Sequence, residues 1–157
     1  MPENFLLLSI KPEYANKIFT GEKKVELRRV RTRLKSDDLV FVYVTSPKKA
    51  LVGLFEVDKV IIVENLQEKQ QLNKFWKEVE KDAAISGDRF KTYYQGASLG
   101  VGIFIKNPDC FSQPITLPIL RETLPNFNPP QSYRYLNTKE VNIFEFMVKS
   151  KITETGV

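Results

Sequence analysis

Residues 21–33 read Gly21-Glu22-Lys23-Lys24-Val25-Glu26-Leu27-Arg28-Arg29-Val30-Arg31-Thr32-Arg33, six cations and two glutamates in thirteen positions. Thr20 and Gly21 stop whatever helix precedes them, because glycine supplies the left-handed backbone that closes many helices. Beyond the glycine the period changes to two. Val25 and Leu27 fall on one face of an extended chain, and Lys24, Glu26 and Arg28 on the other. A strand with one apolar and one charged face is expected to give the first to a core and keep the second for solvent or a ligand.

Upstream, residues 5–10 form an apolar run suited to a buried strand, and Lys11-Pro12 opens a helix through Phe19, proline being tolerated in a first turn. Downstream, residues 37–44 and 51–63 are rich in valine, isoleucine and phenylalanine and read as strands around a turn at 46–49. Their near-continuous apolar character suggests that both faces are covered, as in a small closed barrel flanked by helices. Residues 66–84 carry the spacing of one long amphipathic helix, with Trp76 on its apolar side, and Ser86-Gly87-Asp88 breaks it. A short helix at 89–94, a strand at 100–106, an extended stretch at 110–117 with Pro114 at an edge position, and a helical turn at 118–123 follow. Three prolines make residues 125–136 a stiff loop, and residues 138–149 suit either a helix or a last strand. The expectation is one α+β domain over residues 1–150, a small β-barrel flanked by helices, and a flexible polar tail at 151–157.

The chain has 157 residues, of which 42% are apolar and 27% charged, the composition of an ordinary globular protein. No apolar run approaches the roughly 20 residues that span a bilayer, so no membrane association is expected. The start carries no signal-peptide pattern and Cys110 stands alone, both of which suit a reducing cytoplasm. Net charge is +5, but it is concentrated: residues 11–35 hold nine cations against three glutamates, leaving the rest close to neutral. A basic segment on a neutral body is the signature of a polyanion-binding face. There is no histidine, which removes the usual zinc clusters and every Ser-His or Cys-His arrangement, and neither a P-loop nor GxGxxG occurs. No metal and no cofactor is expected.

Three motifs in order, Gly21-x-Lys23-x-x-Glu26-x-Arg28, then Tyr93-Tyr94-x-Gly96, then Pro129-Pro130-Gln131-Ser132-Tyr133-Arg134-Tyr135-Leu136, resemble the ASCH family of the PUA-like superfamily. Within it, they look like the subgroup labelled as predicted transcriptional regulators. The resemblance implies a small PUA-like β-barrel with a cleft between barrel and helices, proposed to bind RNA. Wider relatives include the PUA domains of RNA-modifying enzymes and the YTH and EVE domains, which hold a modified base in an aromatic pocket. A separate ASCH branch resembles amidohydrolases that remove acetyl from acetylcytidine with a lysine and a threonine of the first motif and a distant glutamate. Lys23 matches that lysine; Glu26 stands where the threonine would be.

The expected partner is nucleic acid, RNA in preference to DNA, with a nucleotide or modified base held in a basic cleft and a role in regulating transcription or translation. Lys23, Glu26 and Arg28 would floor the cleft, with Tyr94 and Gln131, Ser132, Tyr133 and Arg134 as walls. Flanked by Lys24 and Arg28, Glu26 should be ionised and should orient the guanidinium, which presents a rigid fork to phosphate or a base edge. Lys23 would begin the strand as a mobile ammonium. Arg29 and Arg31, with Arg33 and Lys35, would share a face for phosphate contact if the strand continued. Three alternatives stand beside this. In the first, the charged residues simply close the barrel by a salt bridge; a hydrolase, either an amidohydrolase on acylated nucleosides or a ribonuclease, would use Lys23 and Glu26 as catalytic groups and Arg28 to stabilise charge; and residues 127–136 would serve a protein-interaction module.

Overall fold

The computed structural model describes the backbone of residues 2–155 and the side chains of residues 2–149. Alternation within the apolar strands decides the layering. In β1 (Phe5–Ile10), Leu6, Leu8 and Ile10 join one buried cluster while Leu7 joins another, and β3 (Leu39–Val44) divides Val40, Val42 and Val44 from Phe41 and Tyr43 in the same way. Both faces of the sheet are therefore covered, as the apolar runs require.

After β1 come α1 (Pro12–Phe19), β2 (Val25–Arg28), β3, β4 (Ala50–Glu64), α2 (Lys69–Val79), α3 (Gly87–Tyr93), β5 (Leu99–Thr116), α4 (Leu117–Thr123), β6 (Tyr133–Tyr135) and α5 (Thr138–Thr155). The strands form one mixed sheet in the order β2-β5-β4-β3-β1-β6, with β1 parallel to β3 and every other pair antiparallel. The sheet curls into a half-barrel. Ala15 and Ile18 of α1 pack into its concave cluster, Phe144 of α5 and Leu120 of α4 cover the outer face, and α2 and α3 pack on β2 and β5 through Phe75, Phe90 and Tyr94. Among the described residues no helix is long and apolar enough to cross a membrane.

The α+β architecture is as the sequence predicts, but the barrel is not closed by backbone pairing. β2 and β6 are the two ends of the sheet, and side chains span the gap between them: Arg28 Nη1 donates to Ser132 Oγ at 2.7 Å, and Tyr133 OH donates to the Arg31 carbonyl at 2.8 Å. The long helix expected at 66–84 shortens to Lys69–Val79 because Asn65 takes a positive φ and the Leu66 amide goes to the Ser98 carbonyl. At its other end the chain turns so that the Asp82 carbonyl can receive the amides of Lys24 and Val25. Residues 99–116 make one bent strand instead of two, the register against β4 shifting several times along its length. The stiff loop includes the short strand β6, and the last element is a helix whose backbone continues to Thr155; residues 156 and 157 of the expected tail lie outside the described residues.

Candidate functional site

Gly21, at φ +83°, makes the turn out of α1, and the Lys23 amide then closes on the Lys17 carbonyl at 2.9 Å. Residues 23–25 are thus pinned between α1 and the α2–α3 connection where β2 starts. Along β2, Val25 and Leu27 enter the cluster around Phe75 and Phe90, which forces Glu26 and Arg28 to the opposite face, toward the inside of the curl.

On that face a charged trio is buried together. Glu26 Oε2 accepts from Arg28 Nη2 at 2.7 Å and Oε1 lies 3.5 Å from Lys23 Nζ, with the three side chains 7%, 15% and 4% exposed respectively. Lys23 Nζ also donates to the Ala83 carbonyl at 3.3 Å, and Tyr14 lies beneath it with the ring centroid 5.8 Å away. The ammonium expected to be mobile is held on three sides. Burial pushes the Glu26 carboxyl up, but the Arg28 and Lys23 cations together outweigh it and hold the group below its usual range. For Lys23 the balance goes the other way: burial lowers its pKa and Glu26 restores only part. Burial opposes charge on Arg28 too, yet Glu26 wins and its pKa rises. Glu26 is therefore a fixed anion that aims Arg28, though its second cation is Lys23 and not the expected Lys24.

Arg28 reaches further, to Ser132 Oγ and to the Ser9 carbonyl at 3.5 Å. Among the described residues two buried side-chain polar atoms lack a hydrogen-bond partner, Ser9 Oγ and Arg28 Nε. Both residues line one cleft of about 400 Å³, along with Lys23 and Glu26. Buried polar atoms are nearly always bonded, so two in one wall are unusual. The cleft volume lies within the range of small-molecule sites. Lys11, Tyr14, Arg89 and Tyr93 of α3, and Gln131 belong to its polar and aromatic lining.

The structure thus brings Lys23, Glu26, Arg28 and Gln131 to one hollow, with Ser132 attached through Arg28. Tyr94 is not on its surface. The ring packs against Phe75 and Phe90, the hydroxyl donates to the Arg28 carbonyl at 2.9 Å, and burial drives its pKa up. Tyr93 lines the cleft instead, its hydroxyl donating to the Leu27 carbonyl at 3.2 Å. A signal for this existed: at helical spacing Arg89 and Tyr93 share one face of α3, and Phe90 and Tyr94 share the neighbouring apolar one. Trp76, half-buried, packs on Phe90.

The remaining basic residues scatter. β2 ends at Arg28 and the chain from 29 crosses the seam as an irregular loop, so the shared cationic face does not form. Arg29 sits over the Tyr93 ring, Arg31 pairs with Glu64, Arg33 stacks 4.0 Å from the Tyr135 centroid, and Lys35 pairs with Glu3 at 2.6 Å. Lys24 is exposed and outside the cleft lining. Arg134 turns to α5, where it meets Glu140 at 2.8 Å, while Tyr133 is half-buried at the seam. Ser9, Lys11, Tyr14 and Arg89 are cleft residues that the sequence reading does not single out, because they come from elements whose meeting only the fold reveals. Among the described residues no group of histidine, cysteine and carboxylate side chains could hold a metal.

A curled half-barrel of six strands with a cationic cleft beside its seam and helices around it defines an α+β barrel-like domain. The chain belongs to the ASCH domain family, whose pattern matches residues 8–114. It is 26% identical over 134 residues to an ASCH domain-containing ribonuclease of Zymomonas mobilis subsp. mobilis, covering 85% of each chain. It is also 25% identical over 131 residues to the large ribosomal subunit protein uL22 of Ureaplasma parvum serovar 3, covering 83% of this chain and 39% of that protein. Among solved structures, the ASCH protein of Zymomonas mobilis superimposes with a TM-score of 0.78 at 25% identity, over 88% of this chain and 92% of that one. A variant of the same protein with a serine replaced by alanine gives 0.80 at 24% identity, over 94% and 99%.

Proposed function

We propose that the protein acts on RNA, its seam cleft taking one nucleotide of a single strand. The observation that carries this reading is the guanidinium of Arg28, immobilised by Glu26 and Ser132 in the wall of a hollow of about 400 Å³ that four cations and a single carboxylate line. A cleft of that size suits one unstacked nucleotide better than a duplex. Tyr93 offers an aromatic face on which a base can stack, an interaction worth about 1–3 kcal/mol per base. The ribonuclease named among the relatives supports RNA as the partner. A modified base remains within this reading, since nothing in the cleft wall requires an unmodified edge.

The test is fluorescence anisotropy with labelled single-stranded RNA, single-stranded DNA and duplex RNA at several salt concentrations. Single-stranded RNA should bind best, with log affinity falling by about 0.7 per neutralised phosphate for each decade of salt. Arg28→Met should weaken it by ten- to a hundredfold, as expected for charge-assisted hydrogen bonds worth about 1.5–3 kcal/mol. Failure to retain any RNA at low salt would overturn the reading.

A second reading, ribonuclease action, is favoured by Lys23, whose lowered pKa enlarges the share of neutral amine able to take a proton. In that scheme the amine receives the proton of a ribose 2′-hydroxyl as its oxygen attacks the adjacent phosphorus. The bond from phosphorus to the 5′-oxygen breaks, the 5′-oxygen is protonated from solvent, and Arg28 stabilises the charge that builds on the phosphoryl oxygens. Turnover of N-acylated nucleosides, measured alongside, separates this from the amidohydrolase alternative. Retention of RNA without shortening would instead fit a regulator of transcription or translation.

A further inference from the structure

We propose that Lys11 and Arg89 form a phosphate subsite at the Lys23–Glu26–Arg28 cleft, so that its ligand is a nucleotide bearing a phosphate and not a free nucleoside; this rests on the nucleotide reading above. Charge is the first ground. The charged residues lining the cleft are Lys11, Lys23, Glu26, Arg28 and Arg89. Both oxygens of the one carboxylate are engaged, Oε1 with Lys23 and Oε2 with Arg28. Among the described residues no carboxylate lies within ion-pair distance of Lys11 or Arg89. Two like charges left uncompensated in a concave wall raise its potential and favour an anion there.

Placement is the second. Lys11 follows Ser9 by two residues, and Ile10 between them is the last residue of β1, so the extended chain sets the two α-carbons about 6.5–7 Å apart along the same side. Ser9 is buried, with an unpartnered hydroxyl, while Lys11 is exposed. The wall therefore runs from a polar floor to a cationic rim. Arg89 reaches the same rim from α3, where Nη1 donates to Tyr14 OH at 3.4 Å and ties α3 to α1. That bond uses one of five guanidinium donors, and the planar fork matches phosphate oxygens. A nucleoside would lie deep, beside Ser9 and Arg28, with its phosphate held between Lys11 and Arg89 where solvent still reaches the charge. Neutral substrates such as N-acylated nucleosides would leave both rim cations unused.

Isothermal titration calorimetry on the full chain at low salt, with uridine and adenosine and their 3′- and 5′-monophosphates as probes, tests this. At least one monophosphate should bind tenfold or more tightly than its nucleoside, and the Lys11→Gln, Arg89→Gln double variant should bind the two alike. Both side chains are exposed, so circular dichroism should show the variant folded. Equal affinity of nucleoside and monophosphate for the wild-type chain, or a phosphate preference that survives in the double variant, removes the subsite and leaves the cleft reading standing. If nucleosides, monophosphates and RNA all fail to bind, both fall.

Discussion

Glu26→Gln is expected to destabilise the protein by about 3–5 kcal/mol, the range found when one member of a buried ion pair is removed and its partner is left charged. Here two cations lose their anion at once. Lys23 is 4% exposed and Arg28 15%, so neither can recover its solvation without disturbing the wall. Glutamine keeps the shape and one acceptor, which separates the charge effect from a cavity. Against a usual total of about 5–15 kcal/mol, such a loss is large, and urea unfolding at neutral pH measures it. The same pair gives a pH dependence of known sign. The folded Glu26 carboxyl lies below its unfolded value of 4.5, so its stabilisation is fully present above pH 4.5 and is lost as pH falls from there through the folded value. The gap between wild type and Glu26→Gln should therefore shrink on acidification below 4.5. A gap that stays constant, or a loss under 1 kcal/mol, would show that the trio is not a coupled buried network.

On the ribonuclease reading proposed above, Lys23→Met is expected to slow RNA cleavage by two to four orders of magnitude while RNA is still bound, the usual contribution of a positioned proton acceptor. Lys23→Arg should not restore it, because arginine stays protonated and cannot accept a proton. The wild-type rate should rise with pH and level off below 10.5, the ordinary lysine value, since burial lowers the Lys23 pKa. Folding of the methionine variant is not expected to suffer much: the long apolar stem keeps its packing, and Glu26 retains Arg28 at 2.7 Å. Single-turnover assays on a labelled single strand give the rate, and anisotropy gives the binding. Equal cleavage by wild type and Lys23→Met would remove Lys23 from the chemistry and leave the cleft as a binder only.

The architecture was legible wherever a local pattern coincided with a local structure. The period-two stretch at 25–28, the strands at 5–10 and 39–44 and the proline-opened helix after Lys11 need only their own residues to be recognised. The errors have distant causes. The helix expected from Leu66 yields because the Leu66 amide is taken by the Ser98 carbonyl, and the strand expected beyond Arg28 ends where the chain must cross the seam. The first motif points to the Lys23–Glu26–Arg28 group because those three residues are neighbours in sequence. Lys11, Arg89 and Tyr93 come from two other elements, and no spacing along the chain links them to residue 26. In the Tyr93-Tyr94 pair only the helix phase of α3 distinguishes the buried ring from the one on the cleft.

The gap between β2 and β6 has a mechanical meaning. Since no backbone ladder joins these edges, the wall there is fastened by a few side chains, and Arg28, which grips Ser132 across the gap, is also a wall of the cavity it helps to shut. A guest that adds bonds to Arg28 would tighten the clasp, and one that drew the guanidinium away from Ser132 would loosen it. Under the proposed reading, recognition and rigidity at this margin share one side chain, so a substitution there would alter both.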